Sequence, residues 1–296
     1  MIVSNVQLDK QRWDQRVLAA QPEGFFFLLS WYLDVVAPGW EGYVLGDYEG
    51  IYPIVAQQKL GVSYTHMPFL TRSFVPLGFN EQQVAVLTQY LSNRFSYLQL
   101  AGVSLDSPYE QQIRRHQVLD LTNFALTQCS ENHRRQYKKA TQHGFELETS
   151  VNPEGLIALF RRVKGAEFAH LKDADYNILA RLMEEANGRG VLRQFSLREK
   201  GELVGAAAYL EVSGQVLYLK GAITPEAMKV GGMVYLHVEA MKTLAPGCSQ
   251  LDFGGSNAKG LGDFNRKFGA RDVEYLLLIK NSLAKPLAWL AKRKFG

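Results

Sequence analysis

Cysteine is scarce in this sequence: Cys129 and Cys248 stand far apart, with no CxxC and no Cys/His ligand spacing. A disulfide scaffold and a structural zinc site are therefore not expected, and a reducing cytoplasm is the simplest setting. Long apolar runs are missing as well. None exceeds residues 25–29 (FFFLL) in length, far short of the roughly 20 residues a membrane-spanning helix needs. Residues 1–10 lack the basic start and apolar block of a signal peptide. There is no G-x-S-x-G, no Walker loop and no G-x-G-x-x-G after a strand, so covalent hydrolase, kinase and dinucleotide-binding readings drop out. His66, His116, His133, His143, His170 and His237 show no metal-ligand spacing, and no metal site is expected. Neither sign of charge dominates. The formal net charge of +4 favours anionic ligands weakly and does not by itself indicate nucleic-acid binding.

What is present is an ordinary globular composition, 47% hydrophobic and 21% charged over 296 residues, enough for two cores of usual size. The chain repeats an order of elements. YVLGDY, EG and IYPIVAQQ (43–58) read as strand, turn and strand, followed by a helix over 81–95 and a short strand over 97–101. QFSLR, EKGE and LVGAAAYLEV (194–212) return the same grammar, with a helix over 232–244 and a strand over 250–253. The expected fold is α/β: two tandem domains, each a mixed, mostly antiparallel sheet flanked by helices. The boundary falls near 123–130, giving domains 1–125 and 126–296. Helices are also expected over 131–143, 153–170, 173–187 and 283–294. The last of these, KPLAWLAKRKFG, reads either as a helix covering a sheet or as a basic amphipathic helix touching a membrane surface.

Three segments could carry chemistry. QLDFGGSNAKGLGDFNRKFGA (250–270) runs from a strand into a glycine-rich turn and a short helix. Gly254, Gly255, Gly260 and Gly262 let a ligand approach the main chain, or they only turn it. Asp252 ends the strand, where open α/β sheets place ligands, although capping the next turn is an equally good use of an aspartate. AITPEAMKVGGMVYLHVEA (222–240) opens a helix at Gly231 and Gly232, where free N–H groups and Lys229 could hold a phosphate; plain helix entry is the alternative. HRRQYKKATQHG (133–144) carries four Lys or Arg and is either a solvated face or a patch toward a phosphate-rich donor.

Three blocks together resemble the FemAB-like proteins, which are tandem GNAT domains. They are FFFLLSWYL (25–33), NHRRQYKKATQHGFELE (132–148), similar to the family's R-x-x-x-x-K-A-x-x-x-G pattern, and LDFGGSNAKGLGDFNRKFGA (251–270), similar to D-F-x-G followed by F-K-x-x-F-G. The family's lysine after the first Phe of that last motif is Asn265 here. The resemblance implies transfer of an aminoacyl group from aminoacyl-tRNA to an amino group of a peptidoglycan precursor, a nucleotide-linked or lipid-linked muropeptide, by direct attack without a covalent intermediate. No permanently bound cofactor and no stable membrane insertion are implied, and a tRNA acceptor stem is a possible partner. Asp252 and Asn257 are the expected polar positioning groups. Lys259, Arg266, Lys267, Lys229, Gly231 and Gly232 are the expected donor-binding residues, and Lys164, His170 and Tyr176 the acceptor contacts. Two rivals share the fold: an acyl-CoA-dependent N-acyltransferase of the GNAT superfamily, with acyl-CoA as donor, and a non-catalytic binding protein.

Overall fold

The computed structural model describes residues 1–59, 61–103, 109–255, 260–286 and 288. They fold as two compact units, one of Met1–Arg114 with Glu274–Gly296 and one of Arg115–Val273.

The first unit begins with β1 (Ile2–Ser4), α1 (Lys10–Ala20) and α2 (Ser30–Val36). Asp9 caps α1 by accepting from the Arg12 amide at 3.0 Å. Between these helices the FFFLL block forms a buried 3-10 turn at Phe25–Leu28, and the Trp13 indole donates to the Leu28 carbonyl at 2.7 Å. The apolar run is thus core packing. β2 (Glu41–Leu45) and β3 (Gly50–Ile54) make the expected hairpin and pair with β1 in a three-stranded antiparallel sheet. β4 (Gln57–Lys59) and β5 (Val62–Thr65) follow, then α3 (Glu81–Arg94) and β6 (Tyr97–Ala101). Asn80 and Gln83 form a reciprocal capping box at the start of α3. β5 and β6 are parallel, as the intervening helix requires.

The second unit takes in most of β7 (Glu110–Asp120), then α4 (Glu131–His143), β8 (Glu146–Glu148), α5 (Pro153–Lys164) and α6 (Asp173–Gly188). β9 (Leu192–Glu199), β10 (Glu202–Val212) and β11 (Gln215–Ile223) are a meander, followed by α7 (Pro225–Lys229), α8 (Gly232–Leu244), β12 (Gln250–Asp252) and α9 (Leu261–Arg266). The strand order is β8-β9-β10-β11-β12-β7, antiparallel except for the parallel pair β11 and β12. β10 is buried from Gly205 to Leu210, and its small residues Ala206, Ala207 and Ala208 leave room for helices on both faces. Tyr209 and Tyr218 meet His237 of α8 on one face. Lys220, paired with Ala208, meets Phe160 of α5 on the other.

Each unit therefore has a strand, a crossover helix and a parallel strand: β5-α3-β6 in the first, β11-α8-β12 in the second. In each, an antiparallel strand flanks the second member. β7 does this for β12 through Val118, Leu119 and Asp120. For β6 the partner is β13 (Arg271–Asn281), through Leu277–Asn281. The chain thus passes into the second unit along β7 and returns along β13 to complete the first. The helix expected over 153–170 ends at Lys164, and residues 165–170 are turns. Most of the helix expected over 283–294 lies outside the described residues.

Candidate active site

β11 and β12 run parallel for three residue pairs, the last being Leu217 with Asp252. There β12 ends, while β11 continues to Ile223. Two parallel strands that separate expose main-chain groups at the carboxyl end of one of them, the position where open α/β sheets bind ligands. A bulge marks the same place. Ala208 pairs with Lys220 and Tyr209 with Tyr218, so Leu219 is an extra residue that re-aims the β11 backbone where it leaves its neighbour.

Asp252 closes β12 and is almost wholly buried. Its Oδ1 accepts from the Gly254 amide at 2.8 Å and lies 3.1 Å from Nδ1 of the buried His116 on β7. It therefore fixes the turn that leaves the strand. Gly254 has φ +82, and a Cβ there would stand 2.9 Å from the Tyr218 carbonyl oxygen, so the returning chain passes close over β11. Asn257 and Lys259 lie outside the described residues.

α9 carries the next expected cations. The exposed Arg266 pairs with Asp263 and with both oxygens of Asp272 at 2.9 Å, and these carboxylates, Asp263 first, raise its pKa further. Asp272 also accepts from Gln117 at 2.8 Å, which holds its carboxyl below the usual range, with help from Arg266. Asn265 is buried and donates to Gln117 at 3.1 Å. Lys267 is exposed, and its carbonyl accepts from the Ser130 amide at 2.8 Å.

At the start of α8, Gly231 has φ +89 and faces α4 so closely that a Cβ would meet the Gln136 carbonyl oxygen at 2.4 Å. A Cβ on Gly232 would meet Ile223 and the Ala227 carbonyl. Lys229 is exposed, and its carbonyl accepts from Lys139 of the basic helix at 3.1 Å. The glycines of this segment thus serve helix packing, and the exposed cations Lys138, Lys139 and Lys229 flank it.

The expected acceptor residues gather at the α5–α6 turn. Lys164 pairs with Glu167 at 2.5 Å, and the His170 ring lies 5.9 Å from Phe168. Buried Tyr176 lies under Arg161 at 4.0 Å and beside Phe160 at 6.3 Å. Lys220 joins this cluster from β11, a residue that sequence reading passed over. The signal was a single lysine in VLYLKGAI, in a strand otherwise apolar; sheet register was needed to bring it beneath α5. Among the described residues no group of acidic, His or Cys side chains could hold a metal ion. No described helix is long and apolar enough to cross a membrane.

Residues 127–265 match the model of the acetyltransferase (GNAT) domain. No curated protein matches the chain in sequence. Among solved structures, FemX aligns with a TM-score of 0.67 at 15% identity, covering 96% of this chain and 98% of its own. A tandem GNAT protein from the clavulanic acid biosynthesis pathway aligns with a TM-score of 0.54 at 12% identity, over 94% and 97%. The chain has the FemAB-like tandem GNAT fold. A third neighbour is the C-terminal domain of a putative lysylphosphatidylglycerol synthetase from Agrobacterium fabrum, with a TM-score of 0.57 at 14% identity over 97% and 96%. The domain match supports a transferase. In the tandem GNAT fold of this chain the α5–α6 turn and the separation of β11 from β12 belong to the unit that carries the domain match.

Proposed function

We propose that the chain is an aminoacyltransferase that moves an aminoacyl group to an amino group of a peptidoglycan precursor. The observation that carries this reading is the parting of β11 and β12 beyond Leu217 and Asp252, with the Leu219 bulge beside it. An acyl donor lying along the freed edge of β11 would present its carbonyl to main-chain N–H groups, which stabilise the oxyanion that develops on attack. The acceptor amine approaches from the α5–α6 side. Its lone pair forms the C–N bond, the ester C–O bond to the donor ribose breaks, and the amine proton passes to the leaving oxygen.

Direct attack fits the rest of the chain. Burial pushes both thiols, Cys129 and Cys248, up to about 11, so neither supplies a thiolate at neutral pH. Positioning is then the main task of the protein. Asp252 shapes the turn, Asn257 is a polar positioning group, and Lys259, Arg266, Lys267 and Lys229 supply positive charge for donor phosphate, with Gly231 and Gly232 as further donor-binding residues. Lys164, His170 and Tyr176 meet the acceptor. The aminoacyl character is supported by the lysylphosphatidylglycerol synthetase neighbour, whose name describes a lysyl-bearing product.

The acetyltransferase domain match favours a second reading, in which acyl-CoA is the donor. Single-turnover assays with radiolabelled aminoacyl-tRNA or acetyl-CoA, each with a UDP-linked muropeptide, separate the two. A radiolabelled amide formed only from aminoacyl-tRNA is expected. Product formed only from acetyl-CoA would move the chain to the second reading, and product from neither would leave it a binding protein.

A further inference from the structure

Under α5, an ammonium group lies against aromatic carbon where a carboxylate would be expected. Lys220 stands on β11 past the point where β12 has left, opposite Ala208 and next to the bulged Leu219. Its Nζ is 4.5 Å from the centre of the Phe160 ring and 5.2 Å from that of Phe168. Among the described residues it has no ion pair and no hydrogen bond. Burial alone lowers its pKa to about 8, with no nearby charge contributing.

The neighbouring cations differ. Arg161 pairs with Asp173 at 2.8 Å and Lys164 with Glu167 at 2.5 Å. Among the described residues Lys220 is left as a single positive charge without a counter-ion, at the wall of the α5–α6 cluster. Ring faces offset the loss of hydration only in part, and a methionine would fill the same space without that penalty. A half-buried charge kept at such a cost, beside an opening in the sheet, marks a binding position.

We propose that Lys220 binds a carboxylate carried by the amine acceptor, so that the substrate class is an amino acid or peptide with a free carboxyl group. One uncompensated ammonium matches one carboxylate, whereas a phosphate dianion would still lack a partner. The walls formed by Phe160, Phe168 and Tyr176 keep water from the pair and strengthen it. The term acceptor rests on the transferase reading, but the binding itself does not.

The test uses the full chain and the probe N-acetyl-alanyl-alanine, with its C-terminal amide and inorganic phosphate as controls at equal ionic strength. Acetic anhydride labelling of each lysine is read by mass spectrometry. At a dipeptide concentration of twice the Kd, labelling of Lys220 falls roughly threefold by mass action, while Lys229 is unchanged and the amide gives no protection. Equal labelling with and without the dipeptide overturns the inference, as does equal protection by the amide or protection by phosphate alone. The dipeptide-induced rise in melting temperature disappears in Lys220→Met and persists in Lys220→Arg. Should Lys220→Met fail to fold, the labelling of the unaltered chain still decides. Neither readout requires transfer. Protection of Lys220 in a chain that forms no amide would leave this inference standing and remove the function proposed above.

Discussion

Two buried histidines set the response of the second unit to acid. Burial pushes His237 down to about 3 and His133 down to about 4. His237 Nδ1 lies 2.8 Å from the Tyr209 hydroxyl, and His133 Nε2 lies 3.1 Å from the Phe264 carbonyl. Both are neutral in the folded chain at pH 7. In the unfolded chain each takes a proton near its ordinary pKa of about 6.5. Between pH 6.5 and 4 the unfolded state therefore holds more protons than the folded one. The stability these neutral rings contribute is complete above pH 6.5 and is lost as pH falls through that window, with His237 continuing toward pH 3. The loss is on the order of 3 kcal/mol for each ring. Urea midpoints measured from pH 7 to pH 4 should fall steeply, and His237→Gln should flatten the slope; a slope identical to that of the unaltered chain would show that His237 is already protonated when folded. Among the exposed cations the expectation is opposite. Arg266 and Lys267 lie on the surface of α9, so changing both to Gln should alter stability by under about 1 kcal/mol. Aminoacyl-tRNA affinity, measured by filter binding, should fall by roughly tenfold for each charged hydrogen bond to the donor that is removed. Undiminished affinity would place the donor phosphates elsewhere.

The packing of α4 on α8 depends on one backbone conformation. Gly231→Ala meets both an unfavourable φ of +89 and the Gln136 carbonyl at 2.4 Å. A loss of more than about 1 kcal/mol is expected in chemical denaturation, with α4 amides losing protection from hydrogen exchange. An unchanged midpoint would mean that the helices move apart freely. The same elements show what local sequence encodes. Ser130 and the acid-rich start of α6 mark helix starts that the structure reproduces at 131 and 173, and the helix read from the spacing of Val84, Leu87 and Leu91 begins at 81 as expected. The hairpins and the strand-helix-strand order were also legible, because period and turn residues act locally. The end of α5 was not. Leu156, Leu159 and Phe160 continue the helical spacing, but Gly165 follows Lys164, and Phe168 instead packs beside Phe160 and under Lys220. Asp252 was legible as a strand-end carboxylate, and its partner His116 was not, since they lie 136 positions apart and only the pairing of β7 with β12 joins them. Lys220 was hidden for the same reason.

For the whole chain, the exchange of β7 and β13 decides which fragments can fold. Leu119 pairs with Leu251 and Val118 with Asp252, so a fragment of residues 126–296 leaves one side of β12 unpaired. A fragment of residues 115–273 keeps that pairing and the whole β8-to-β7 order. Expressed separately, the longer-edged 126–296 fragment should aggregate, as open strand edges do, while 115–273 should be monomeric by sedimentation and show a cooperative melt. Two equally cooperative monomers would contradict this.

The return of β13 also bears on how the protein is made. Synthesis proceeds from the first residue, and domains usually fold as they emerge. Here β6 waits for Leu277–Asn281, buried Leu277 and Leu278 among them, which leave the ribosome after the whole second unit. The half translated first is therefore the half completed last. During translation the open side of β6 needs shielding, and a nascent chain that has emerged only through residue 273 should present the first unit to chaperones while the second is already closed.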